Sequence, residues 1–263
     1  MVAENHGVQA MQNFIDPVAK IGRNVKFGHG VRVYGNVEIG DGCTIGDLSV
    51  IGYPTYRPEA SPLVLGANAT VRSHAVIYES STIGPYLETG HHVVIREGAV
   101  IGENLRLGNF SDIEGSCEIG DFVRMHSYAH VGKGARIGDF VWLFSLTTLM
   151  NDPLPPSHIA DPVIIGDMAT VCVNAQIMPG AVIGRGAMIA SGAVARGSTP
   201  ACAVISGPDG ENVGPTRFVM HMQSRTRHPW YKHFSDAYPE RARDRLIALG
   251  AAIEAEAAAL LNE

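Results

Sequence analysis

The sequence predicts an all-β fold of stacked three-sided coils, and three observations carry that prediction. From Leu65 to Leu149 every sixth residue is apolar, Thr89 alone excepted (Leu65, Val71, Ile77, Ile83, Thr89, Ile95, Ile101, Leu107, Ile113, Ile119, Met125, Val131, Ile137, Leu143, Leu149). Most residues two places earlier, such as Ala69, Ala75, Ser81, Val93, Ala99, Ser111 and Cys117, are small or β-branched. Glycine recurs every eighteenth residue at Gly66, Gly84, Gly102, Gly120 and Gly138. A period of six is three strand periods and not a helical one, so each short strand turns a bulky and a small side chain inward. Three hexads close one coil, with glycine at one corner, where it tolerates dihedrals that crowd a Cβ. One coil cannot bury its inner face alone, so the coils stack in parallel at about 4.8 Å each.

Taken in order, residues 1–20 lack the hexad and read as an N-terminal lead-in. The repeat then runs over 21–205, beginning Ile21, Phe27, Val33, Ile39, Ile45, Ile51, with Gly22 and Gly40 at the corner. It breaks at Tyr53–Leu63, where three prolines cannot donate to a stacked strand. It breaks again at Met150–Val163 and resumes with Ile165, Val171, Ile177, Ile183 and Ile189. Counted in threes, both excursion loops leave after the same strand of a coil, so they should share one edge, about five coils apart. Residues 206–263 form a C-terminal extension. Ser206–Pro215 reads as a turn region, and 225–234 is basic and aromatic. Residues 239–262 read as a helix, with Pro239 in its first turn and an apolar stripe of Leu246, Leu249, Ile253 and Leu260.

Composition narrows the function. Charged residues are 17% and hydrophobic residues 46%, which suits a large core. A formal net charge of -6 argues against nucleic acid as a main partner. Cys43, Cys117, Cys172 and Cys202 form no Cys-x-x-Cys pair, and the first two sit at small inward positions, so they read as core thiols. The N-terminus lacks a charged-then-apolar leader and no run spans a membrane, so a soluble cytoplasmic protein is the expectation.

Ile-Gly-Asp-Gly-Cys-Thr at 39–44, Ile-Gly-Glu-Asn-Leu-Arg at 101–106 and Ile-Gly-Arg-Gly-Ala-Met at 183–188 resemble the repeat of the hexapeptide-repeat acyltransferases. The resemblance implies a left-handed parallel β-helix of about nine coils, a homotrimer, and transfer from an acyl-CoA, with acetyl-CoA as co-substrate. Leu149-Met-Asn-Asp-Pro-Leu-Pro-Pro resembles a loop of the sugar-nucleotide N-acetyltransferases of that family. The match implies that Asn151, and with it Asp152, borders an amino-sugar site. An amide oxygen there can accept from an attacking amine. A turn that merely ends a strand is the structural alternative. The segment 95–102 is similar to the one carrying the catalytic histidine in the lipid A acyltransferases, and Glu97 stands in that histidine's place. Glu97 is then a base, or the site lies higher, near Asn151.

Acyl transfer needs a held nucleophile, a route for its proton and stabilisation of the oxyanion. No Gly-x-Ser-x-Gly elbow is present, so direct attack on the thioester fits better than a covalent serine route. Two histidines outside the inward positions, His126 and His130, are candidate bases. His130 lies one coil below Thr148, close to the second loop. His91 and His92 read as facing the same cleft, and Tyr56 and Arg57 of the first loop as stacking or pairing with a nucleotide. Family likeness places the pantetheine beside the last coils, with Asn174, Ser191 and Gly192 offering backbone groups and Arg185 and Arg196 offering charge to phosphates. The leading expectation is N-acetylation of a nucleotide-linked amino sugar; the alternative is O-acetylation of a glycan hydroxyl. A zinc hydrolase on the same fold needs three converging histidines, and His92, His126 and His130 fall at unlike phases, so no metal is expected. A non-catalytic scaffold is the remaining class.

Overall fold

The structure, a computed structural model, describes residues 11–56 and 60–259. Three parallel sheets form the walls of a prism. Sheet A runs from Phe14–Ile15 to Val194–Ala195 and sheet B from Lys20–Ile21 to Ser198–Thr199, with ten strands each. Sheet C runs from Lys26–Phe27 to Ala203–Ser206 and adds Glu211–Pro215 as an antiparallel eleventh strand. The chain visits A, B and C in turn, which makes ten coils, against the nine or so expected, of the left-handed parallel β-helix that the resemblance implies. Register is strict: Val94 pairs with Asp112, Asp112 with His130, and His130 with Thr148.

From Val31 onward the inward hexad residues and their small partners are buried in one continuous core, Cys43 and Cys117 included, whereas Ile21 is exposed and Phe27 half-buried at the first coil. Two features differ from the sequence reading. The coils begin at Phe14, inside the stretch read as a lead-in, because Phe14–Ile15 pairs with Arg32–Val33. The turn region read at Ser206–Pro215 contains a hairpin onto the last coil.

The glycine column also has a different cause. A Cβ on Gly66 would come within 2.5 Å of the Gly84 carbonyl carbon, and one on Gly84 within 2.7 Å of that of Gly102. The column is glycine because the next coil's backbone passes there. The left-handed dihedral falls two residues later, on Asn68, Tyr86, Asn104, Phe122 and Phe140.

Both excursions leave sheet A after its third and eighth strands and rejoin the prism at sheet B, so they share one edge as expected. The first is anchored by the buried Glu79 carboxylate, which accepts from the Thr55 N–H at 2.8 Å and the Asn36 amide at 2.9 Å.

The C-terminal extension folds back along the edge between sheets B and C. Its short helix α1 (Tyr231–Phe234) and long helix α2 (Glu240–Ala259) bury Tyr231, Tyr238, Leu246 and Ile253 against Phe122, Phe140 and Met168. The predicted stripe therefore docks on the chain's own coils; Leu249 is partly buried there, and Leu260 lies outside the described residues. Charge fixes the register. Arg241 meets Glu103, Arg245 meets Asp121 and Asp139, and Glu256 meets Arg185. Arg241 to Glu256 spans about 22 Å of helix, and Glu103 to Arg185 spans four coils, about 19 Å, so α2 lies along the prism axis.

Candidate active site on sheet A

Alternate residues of each strand point out of the prism, and strands of one sheet lie one coil apart. An outward residue therefore sits directly above the residue eighteen places earlier wherever no loop intervenes. On sheet A this puts His130 above Asp112, and its Nδ1 lies 2.8 Å from Asp112 Oδ2. Both side chains are half-exposed. The hydrogen bond to Asp112 raises the His130 pKa above its ordinary 6.5, against the opposing effect of partial burial. Because Nδ1 is engaged, Nε2 is the nitrogen left to face a substrate.

Thr148 is next up the column, and the second loop begins at its end. Gly132, two residues past His130, has no side chain, and the Asn151 carboxamide fills that space. A Cβ on Gly132 would overlap the Leu149 carbonyl and lie 2.9 Å from Asn151 Oδ1. Asn151 is thus carried to the same patch of sheet as His130. Asp161 donates its backbone N–H to the Asn151 carbonyl at 2.7 Å and accepts from Gly180 at 2.8 Å, which ties the loop's return to the ninth coil. Asp152 is exposed on this loop.

At the edge between sheets C and A, four rings stack at coil spacing. His74 and His92 are 4.5 Å apart, His92 and Phe110 4.8 Å, and Phe110 and Tyr128 5.2 Å. His92 therefore flanks the sheet that carries the dyad. His91 points to Ser73 Oγ at 2.8 Å, and its N–H donates to Asn109.

Other predicted residues lie elsewhere. His126 is on sheet C, against Trp142 and Phe144, and partial burial there lowers its pKa although the ring remains exposed. The two candidate bases are thus on different faces of one prism. Glu97 is buried two coils below His130 and accepts two hydrogen bonds from Arg96, at 2.9 and 3.1 Å. That guanidinium engages both carboxylate oxygens of Glu97. Tyr56 is fully exposed, and Arg57 lies outside the described residues. Asn174, Ser191 and Gly192 share the exposed edge between sheets C and A in the upper coils. Arg196 is at the top of sheet A, where it donates to the Pro208 carbonyl at 3.0 Å. Arg185 is on the opposite edge, held by Asp167 and Glu256, so its charge is spent on α2. No group of three or more metal-ligating side chains occurs among the described residues.

Asp112 was not singled out from the sequence. Its signal was the eighteen-residue offset from His130 at the same outward phase.

A family model described as bacterial transferase hexapeptide (six repeats) matches residues 19–53 and 157–197. Those two stretches carry the hexapeptide repeat that the model describes. The chain is 36% identical over 80 residues to the acyl-[acyl-carrier-protein]–UDP-N-acetylglucosamine O-acyltransferase of Thermodesulfovibrio yellowstonii. The match spans 27% of the chain and 31% of that relative. A UDP-N-acetylglucosamine acyltransferase from Arabidopsis has the same fold, with a TM-score of 0.57 at 17% identity, over 92% of this chain and 93% of that one.

Proposed function

We propose that this protein is an acyltransferase that moves an acyl group from a thioester onto a hydroxyl of a nucleotide-linked sugar, with His130 as general base and Asp112 as its orienting partner. The Asp112–His130 hydrogen bond is the observation that supports this most. A hydroxyl is a weak nucleophile that must lose its proton as it attacks, and an imidazole fixed in one tautomer is suited to take it. The named activities of the relative and of the Arabidopsis protein support the substrate class.

In the step proposed, the acceptor oxygen attacks the thioester carbonyl while His130 Nε2 takes its proton. The tetrahedral intermediate collapses, the C–S bond breaks and the thiol leaves with the proton returned by the imidazolium. Asp112 accepts the Nδ1–H bond throughout and stabilises the transient positive charge. The Asn151 amide, which lies over Gly132, orients the acceptor in this reading. N-acylation of an amino sugar is the second reading; the resemblance of the Asn151 loop to N-acetyltransferase loops favours it. We further propose a cyclic homo-oligomer, with each cleft between neighbours taking a CoA- or carrier-linked thioester.

The experiment is incubation of the purified protein with acyl thioesters and a panel of UDP- and GDP-linked sugars, read by mass spectrometry of the acceptor. An ester on the sugar supports the reading, and an amide supports the second one. No acylated sugar across the panel, with folded protein, overturns both.

A further inference from the structure

We propose that a second pocket, between sheet C and the C-terminal extension, holds the hydrocarbon of a medium-chain acyl group. The pocket has a volume of about 260 Å³ and is lined chiefly by Trp142, Phe144, Cys172, Met188, Trp230 and Phe234. The coils supply the floor: Trp142, Phe144, Cys172 and Met188 project from the seventh, eighth and ninth strands of sheet C. The extension supplies the roof, with Trp230 and Phe234 packed on Trp142 at 6.1 and 5.9 Å between ring centroids. The repeat alone would leave this face open.

No carboxylate, ammonium or guanidinium lines it. His228, also in the wall, is kept neutral by burial, its pKa lowered to about 4. A charged or strongly polar ligand would lose its hydration here without compensation. Three buried polar atoms of the lining residues, Trp142 Nε1, Thr170 Oγ1 and His228 Nδ1, have no hydrogen-bond partner. An acyl group has the matching chemistry: a long apolar chain and one carbonyl that can accept from the Thr170 hydroxyl. The volume accommodates about nine groups of water size (~30 Å³ each), so a chain of about eight to ten carbons fills it and an acetyl group leaves it largely empty.

Height links the pocket to the dyad. Asp112 and His130 lie on the sixth and seventh coils of sheet A, and the pocket begins at the seventh coil of sheet C. A rotation axis parallel to the coils preserves height, so the dyad of one copy and the pocket of the next fall at one level. This deepens the transferase reading and rests on it for the origin of the chain, replacing the expected acetyl group with a longer one.

The chain's two tryptophans, Trp142 and Trp230, both line the pocket, so intrinsic fluorescence reports its occupancy directly. Wild-type protein is titrated with acetyl-, butanoyl-, hexanoyl-, octanoyl-, decanoyl- and dodecanoyl-CoA. Affinity should rise about fourfold per methylene and stop rising near decanoyl, with emission shifted by the long chains and unmoved by acetyl-CoA. Cys172→Phe, which fills the pocket, should weaken decanoyl-CoA at least tenfold, with Met188→Phe as the second filling variant. A series with no dependence on chain length overturns the proposal, and so does unchanged decanoyl affinity in a folded filling variant. Decanoyl binding without transfer to any sugar sinks the transferase reading and leaves the pocket. Transfer at equal rates from all thioesters, with silent fluorescence, sinks the pocket and leaves the transferase.

Discussion

The Asn151 carboxamide lies over the bare Cα of Gly132, where a Cβ would come within 2.9 Å of its Oδ1. One missing side chain thus lets the second loop bring its asparagine to the histidine's strand. Gly132→Ala must displace both Asn151 and the Leu149 carbonyl. We expect a loss of about 1–3 kcal/mol in thermal unfolding, with a fall in turnover. Gly192→Ala is the control: nothing lies within 4 Å of its Cβ, and only its φ of +70° opposes the change. Its cost should be about 1 kcal/mol.

Helix α2 separates burial from charge. Leu246 is fully buried in the cluster with Phe122 and Phe140, whereas the Arg245 ion pairs to Asp121 and Asp139 are partly exposed. Leu246→Ala should cost about 2–5 kcal/mol and Arg245→Ala about 1 kcal/mol or less. Denaturant midpoints at low and high salt would check this; only the arginine effect should shrink with salt.

Acid should loosen the roof of the apolar pocket. His228 is held near pKa 4, well below the 6.5 of an unfolded imidazole. Its folded form therefore resists protonation, and stability is lost as pH falls from about 6.5 towards 4. His228→Phe should flatten that part of the curve, measured as melting temperature against pH. His130 has the opposite sign: its raised pKa adds stability below 6.5 that is lost as pH rises through the folded value.

Much of the fold was legible because the coil is a strict geometric repeat. The same eighteen-residue offset that spaces Gly66 from Gly84 stacks every inward residue, and the prolines at 54–62 and 153–162 mark where the chain must leave. The candidate site was legible only in part. His130 and Asn151 were read as neighbours because sequence phase gives height and face. His126 was read as a candidate base ahead of His130, although its phase puts it on sheet C and not on sheet A. The roof over Trp142 could not be read, since it depends on how residues 216–238 fold back, and no repeat governs them. Arg185 was taken for a phosphate ligand because nothing local shows that Glu256 reaches it from 71 residues away.

Asp112 gives a test that structural damage alone does not mimic. Asp112→Asn keeps the shape but removes the carboxylate whose hydrogen bond, and then its charge, raises the His130 pKa. Turnover should fall about tenfold to a hundredfold, and the acid limb of the pH–rate profile should move to lower pH. An unmoved limb would separate Asp112 from the base.

The most direct measurement is kcat/KM against pH for acyl transfer to the nucleotide-linked sugar identified in the panel, in wild type and His130→Ala. The wild type should lose activity on acidification with an apparent pKa above 6.5, as the imidazole takes up its proton. His130→Ala should be slower by about 10²–10⁴-fold, with that limb gone. A folded His130→Ala protein with wild-type turnover and an unchanged profile would contradict the account.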